Sequence, residues 1–163
     1  MPAPARLFPL LILVASIAVL GAAFAFQYWG GLDPCVLCLY QRYPYGAVIV
    51  LAGGAFLAPT SRVQPILLAL VALVFLMGAA IAAFHVGVEN KWWEGLASCG
   101  AGAPSMPQNL NALMNSLSRQ PARCDSVAWS MFGISMAGYN FLISLALAAF
   151  SLWAARRIAR GPR

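Results

Sequence analysis

Charge is what this sequence lacks. Only 9% of its 163 residues are charged, while 62% are hydrophobic. A soluble domain of this length cannot do with so little polar surface, so the composition points to an integral membrane protein of one domain. Histidine is nearly missing too: His85 is the only one, which leaves little material for a metal centre. Internal repeats, low-complexity tracts, a haem-type motif and a separate soluble domain are also lacking. A removable leader is not expected, because the first apolar run is about 20 residues long, enough to span a bilayer.

What is present is a set of four apolar runs at residues 7–26, 40–58, 66–85 and 134–155. At ~1.5 Å per helical residue these runs are read as spans of a ~30 Å hydrocarbon layer, the second being short. The expected fold class is therefore an all-α four-transmembrane-helix bundle. Polar segments at residues 27–39 and 87–133 lie on one side of it, and a turn at residues 59–62 on the other. Gly53, Gly54 and Gly78 fall inside spans, where small residues let helices approach closely.

The distribution of charge orients the bundle. The side with both termini holds Arg6, Arg62, Arg156, Arg157, Arg160 and Arg163 and no acid. The other side balances Arg42, Lys91, Arg119 and Arg123 against Asp33, Glu89, Glu94 and Asp125. The positive-inside bias puts both termini in the cytoplasm and the two long loops outside. Tyr28, Trp29, Tyr43, Tyr45, Trp92, Trp93 and Trp129 are read as anchors at the outer interface, and Trp153 at the inner one. The basic tail is then a topology signal and a lipid-headgroup anchor, with no nucleic-acid partner expected.

All four cysteines, Cys35, Cys38, Cys99 and Cys124, fall on the outer, oxidising side, where disulfides persist. Cys35 and Cys38 form a CxxC after Pro34, a residue that suits a helix start. A helix N-terminus favours the thiolate, the nucleophilic form. Arg42 follows Cys38 by four residues, which puts both on one helical face and lets the guanidinium stabilise the Cys38 thiolate. Near the hydrocarbon edge its donors also suit a quinone carbonyl. An inert staple with a snorkelling arginine is the plainer alternative. Zinc is disfavoured, because 24 residues intervene between Cys99 and Cys124 where structural zinc sites use two close pairs.

Cys99 and Cys124 occupy the long outer loop. Leu110, Leu113, Met114 and Leu117 make an apolar stripe over residues 108–119, read as a short amphipathic helix resting on the bilayer or packed on its own loop. Ser98, Gly100 and Gly102 around Cys99 suggest an open segment whose sulfur meets an incoming thiolate. A structural clamp is the alternative. Three pairings of four cysteines are possible, and spacing does not choose among them. His85 at the outer end of the third span is a candidate for a proton or quinone contact; Glu89 and Glu94 are read as solvated loop charges.

Asp33-Pro34-Cys35-Val36-Leu37-Cys38-Leu39-Tyr40-Gln41-Arg42, then Cys99, then Cys124-Asp125 with Trp129 and Gly133-Ile134-Ser135-Met136-Ala137, resemble the bacterial disulfide bond formation protein B family. The likeness covers nearly the whole chain, and the ordered set is more specific than any one element. It implies an inner-membrane thiol:quinone oxidoreductase that reoxidises a periplasmic thioredoxin-like dithiol oxidase and passes electrons to ubiquinone or menaquinone, with no metal. By the same resemblance, Cys35 and Cys38 are the quinone-proximal pair, with Cys38 meeting the quinone beside Arg42 and His85. Cys99 takes the partner's thiolate, Cys124 is its disulfide counterpart, and a transient Cys35–Cys124 bond carries electrons inward. Gln41 stands where some relatives carry an acid, leaving the local proton route open.

Three other readings compete. A sister subtype serving one specialised oxidase shares every motif. A vitamin K epoxide reductase-like enzyme places its loop cysteines before the membrane CxxC, opposite to the order here. In a membrane scaffold the cysteines would be staples only.

Overall fold

The computed structural model describes residues 3–58, 62–99 and 123–160. Its elements are α1 (Ala3–Tyr28), α2 (Val36–Tyr40), α3 (Arg42–Leu57), α4 (Val63–Glu89), a 3-10 turn (Ala97–Cys99), β1 (Ser130–Met131), β2 (Ile134–Ser135) and α5 (Met136–Ala159). The helices α1, α4 and α5 contain stretches of 23, 27 and 24 residues that are long and apolar enough to cross a membrane. Helix α3 has 16 residues, about 24 Å at 1.5 Å per residue, short of a full crossing by itself. The short amphipathic helix expected over residues 108–119 lies outside the described residues.

The four long helices form a bundle in which α3 packs on both α1 and α4, and α4 packs on α5, whereas α1 and α5 barely meet. Small side chains make the α4–α5 seam close. Gly78, Ala79 and Ala82 of α4 and Ser144, Ala148, Ser151 and Ala155 of α5 are buried, and Gly78 lies close to Ser144, which suits helix association in lipid, where backbone approach replaces hydrophobic drive. The core collects Ile12, Val48, Leu68, Val71 and Phe75. Val14, Ile17, Val50, Leu57, Ile66, Leu73 and Met77 point outward, an apolar exterior that belongs in hydrocarbon.

Tyr45 departs from the interfacial role expected of it. It is 3% exposed, stacks edge-on to Phe75 at 5.8 Å, and donates its hydroxyl to Oδ1 of Asn140 at 2.6 Å. Its position one turn into α3 points it at the bundle, where its phenol finds polar partners.

The connections set up the outer end. After α1, Gly31 takes a left-handed φ of 65°, and the Leu32 N–H closes on the Phe26 carbonyl at 3.1 Å. After α4 the chain doubles back. Trp93 stacks on Phe84 at 5.9 Å and donates Nε1–H to the Phe84 carbonyl at 3.0 Å. Its indole lies where a β-carbon on Gly87 would stand. β1 and β2 pair antiparallel around Phe132 and Gly133, both at positive φ, as a two-residue hairpin turn requires. Because Ile134 and Ser135 pair in that hairpin, α5 starts at Met136 and not at residue 134. Ser135 caps α5 by accepting the Gly138 N–H at 3.1 Å.

Candidate functional site

Cys35 is the N-cap of α2, in extended backbone, and its Sγ accepts the Cys38 N–H at 3.2 Å. The two sulfurs lie 2.7 Å apart as free thiols. Cys35 is 4% exposed, and its sulfur stands 3.6 Å from Nε2 of His85 on α4. The Cys38 thiol beside it holds Cys35 well below the ordinary thiol range; burial opposes this and His85 adds to it. Cys38 is pushed upward as the donor of that pair and by its own burial. The sulfur that carries negative charge is thus Cys35.

Arg42 takes its polar partners from α1. Pro44 has no N–H to give the Tyr40 carbonyl and its ring crowds that carbonyl, so the helix breaks between Tyr40 and Arg42. Across the break the Arg42 guanidinium turns to α1, donating to Oε1 of Gln27 at 2.6 Å and to the Ala23 carbonyl at 3.4 Å. It also sits 4.9 Å above the Phe24 ring, a favourable cation–π placement.

Gln41, at the break itself, is buried and joins three helices. Its Nε2 donates to Nδ1 of His85 at 2.7 Å, and its Oε1 accepts from Nδ2 of Asn140 on α5. His85, 3% exposed, is therefore a member of the cysteine cluster. Glu89, read from the sequence as a solvated loop charge, is instead enclosed. Its side chain is 7% exposed, with one oxygen 3.9 Å from Nε2 of His85 and the other accepting from the Ser135 hydroxyl. One further turn of α4 beyond His85 carries Glu89 onto the same face, against the N-terminus of α5.

Because α1 and α5 diverge, a cavity of about 420 Å³ opens between them, with Cys35, Cys38, Gln41, Arg42, His85, Glu89 and Asn140 in its wall. Val19, Leu20 and Phe26 of α1 and Ile143 of α5 supply its apolar side. That volume and lining, apolar with a few convergent polar groups, are those of a small-molecule site.

Cys99 and Cys124 are joined by a disulfide, with Cα atoms 5.1 Å apart. Cys99 was expected in an open segment; it is 5% exposed. The doubling-back held by Trp93 brings the 3-10 turn onto Val88 of α4, and Gly95 lies close to both Cys99 and Val88. Consequently Cys35, Leu37, Val88, Cys99 and Cys124 share one apolar cluster, with Cys38 and Phe84 packed against it. The structure brings both cysteine pairs and His85 together and places Arg42 in the wall of the same cavity, tied to α1.

Cys35, Cys38 and His85 offer three donor atoms within 4.8 Å of one another. Two sulfurs 2.7 Å apart nevertheless cannot both take tetrahedral positions at ~2.3 Å from a zinc ion, which would hold them farther apart. The cluster has the geometry of a dithiol.

A family model described as Disulfide bond formation protein DsbB matches residues 5–154. Among curated relatives, Disulfide bond formation protein B of Methylococcus capsulatus is 35% identical over 146 residues, covering 86% of this chain and 89% of that protein. The protein of the same description from Chromohalobacter salexigens is 36% identical over 138 residues, with 82% and 80% covered. Disulfide bond formation protein B 1 of Pseudomonas aeruginosa is 30% identical, with 91% and 93% covered. No solved structure matches.

Proposed function

This chain belongs to the disulfide bond formation protein DsbB family, and we propose that it is a thiol:quinone oxidoreductase which reoxidises a periplasmic thioredoxin-like dithiol oxidase. The observation that carries the reading is the packing of a free dithiol, Cys35 and Cys38, and a disulfide, Cys99–Cys124, into one cluster at the wall of one cavity.

The chemistry is two thiol–disulfide exchanges in line. A thiolate of the partner attacks Cys99; the Cys99–Cys124 bond breaks and Cys124 leaves as thiolate. When the inner pair is oxidised, Cys124 attacks Cys35, forming Cys35–Cys124 and expelling Cys38 as thiolate into the cavity. The partner's second thiol then attacks the mixed disulfide, so the partner leaves as a disulfide and Cys99 as thiolate. Cys99 attacks Cys124, re-forming Cys99–Cys124 and expelling Cys35 as thiolate, so that two electrons then sit on the inner pair. Cys99 has to become accessible for the first step, so the 3-10 turn must open when the partner docks. His85 stands beside Cys35 to share a hydrogen with its sulfur, and Glu89 is the enclosed carboxylate beside the ring. Glu89 thereby answers the question Gln41 raised: an acid is present at the site, supplied by α4.

A quinone suits the cavity. Its ring matches the apolar wall from α1, and its carbonyl oxygens match the N–H donors of Arg42, with His85 also in the lining. A quinone bound there would supply the two-electron oxidising capacity, ubiquinone and menaquinone being the two candidates. Arg42, tethered by Gln27, is a fixed positive group at that wall and orients an oxygen acceptor.

The same reading puts the protein in the bacterial inner membrane with four spans. The break at Gln41 lets α2 sit at the outer interface while α3 completes the second, short crossing. Both termini are cytoplasmic and the cysteine loops periplasmic; reporter fusions after Arg62 and Arg163 should both read cytoplasmic, and an outward signal at either refutes that orientation. The function is tested by following quinone-dependent oxidation of a reduced thioredoxin-like dithiol oxidase with purified protein in detergent. Wild type turns over and Cys38→Ser does not; normal turnover by the serine variant refutes the proposal.

A further inference from the structure

The one histidine in the chain is gripped by a row of neutral polar groups that no step above uses. Tyr45 donates its hydroxyl to Oδ1 of Asn140 at 2.6 Å. That turns the Asn140 NH2 toward Gln41, where Nδ2 donates to Oε1. This in turn faces the Gln41 NH2 toward the ring, where Nε2 donates to Nδ1 of His85 at 2.7 Å. The row runs across α3, the α2–α3 break, α5 and α4, and Gln41, Tyr45 and His85 are all buried. In such surroundings each donor needs an acceptor, so the direction of one hydrogen bond fixes the next.

A neutral imidazole carries one N–H. If Nδ1 accepts from Gln41, the proton resides on Nε2. The groups that face Nε2 agree: the Cys35 sulfur at 3.6 Å, which already accepts the Cys38 N–H, and a Glu89 oxygen at 3.9 Å. A Cys35 thiolate and the Glu89 carboxylate are acceptors, which an Nε2–H meets and a bare ring nitrogen does not. With Cys35 as thiolate, this side of the ring therefore favours the tautomer that Gln41 sets.

We propose that Asn140 is a positioning residue which, through the Gln41 amide, locks His85 in the Nε2–H tautomer and so presents a hydrogen-bond donor to the Cys35 sulfur. The direction is set by the Tyr45 and Ser144 hydroxyls, which both reach Oδ1 of Asn140, with Asn140, Gln41 and His85 between them and the Cys35 sulfur. Reversing it would turn both amides over, put the proton on Nδ1 and aim a lone pair at Cys35. A Cys35 thiolate formed during exchange would then face a like-signed lone pair instead of a donor. The functional meaning of the lock rests on the exchange at Cys35 proposed above; the tautomer does not, and it is measured without turnover.

Because the chain has a single histidine, protein labelled with 15N-histidine gives one pair of ring nitrogen signals. They are recorded in detergent with the cysteines reduced, raising the pH until the ring is neutral. In wild type, Nε2 should carry the proton and Nδ1 should be bare, with a ratio of at least about tenfold, the preference that roughly one net hydrogen bond confers. Asn140→Asp is nearly isosteric and, as a carboxylate, offers Gln41 only acceptors. Gln41 must then turn its NH2 toward the new residue and its Oε1 toward the ring, moving the proton to Nδ1. Asn140→Leu removes the anchor and should give a mixture of the two forms. If the leucine variant does not fold, the aspartate variant and Gln41→Leu carry the test. A wild-type ring with its proton on Nδ1 overturns the proposal, and so does a wild-type pattern persisting in the folded Asn140 and Gln41 variants. Loss of quinone-linked turnover with the tautomer as described would sink the proposed function and leave the lock standing.

Discussion

The Arg42 guanidinium donates to Oε1 of Gln27 at 2.6 Å, tying the first turn of α3 to the last turn of α1 across one wall of the cavity. Neither residue touches a sulfur, so the pair acts on whatever occupies the cavity and not on the cysteines. Changing Arg42 to Leu should raise the KM for quinone by roughly 10- to 100-fold, the worth of one or two hydrogen bonds to a charged donor. Exchange with the soluble partner, followed in a single turnover, should change little. Gln27→Leu leaves the guanidinium untethered and should have a smaller effect of the same kind. Equal losses in both half-reactions would contradict the assignment.

Gly87 makes a prediction about stability. A β-carbon there would overlap the Trp93 indole, which is held by stacking on Phe84 and by its N–H. Gly87→Ala should therefore displace Trp93 and cost about 1–3 kcal/mol, the usual range for overpacking. The reading is a lower midpoint of thermal unfolding in detergent. Because Trp93 sets the return of the chain toward Cys99, the Cys99–Cys124 bond should also become more readily reduced. An unchanged midpoint would mean that the return of the chain does not depend on this contact.

The reduced inner pair should titrate unevenly. The Cys35 thiol is depressed by the Cys38 hydrogen bond and by His85, so its thiolate should persist as pH falls well below ~8.5, the ordinary cysteine value. Cys38 is raised and should stay protonated over the same interval. The sign follows for stability: the Cys35 contribution is complete above ~8.5 and is lost as pH falls toward the depressed value. Thiolate ultraviolet absorbance of the reduced protein should show about one thiolate at neutral pH, abolished in Cys35→Ser and reduced in His85→Leu. Retention of the full signal in Cys35→Ser would reverse the order of the two sulfurs.

Much of this site could be read along the chain, and the failures have identifiable causes. The apolar runs, the CxxC and the second cysteine pair are local signals, and the helices formed where those runs predict. The tether of Arg42 to Gln27 and Ala23 carries no local signal, because it joins residues of two different helices. Glu89 looked like a loop charge because its neighbours Asn90 and Lys91 are polar; only the length of α4 and the return through Trp93 enclose it. The same fold buries Cys99 despite the glycines around it. Asn140 gave no signal at all. An isolated polar residue in an apolar run acquires meaning only when α5 is laid against Gln41 and Tyr45, contacts that join residues nearly a hundred positions apart.

The central claim is that electrons cross between the two cysteine pairs through Cys35 and Cys124, which share one buried cluster. The most direct measurement is disulfide mapping by mass spectrometry of the Cys38→Ser, Cys99→Ser double variant after mild oxidation in detergent. With only those two cysteines left, the account predicts an intramolecular Cys35–Cys124 bond in folded monomer. Free thiols, or a bond formed only between molecules, would contradict it.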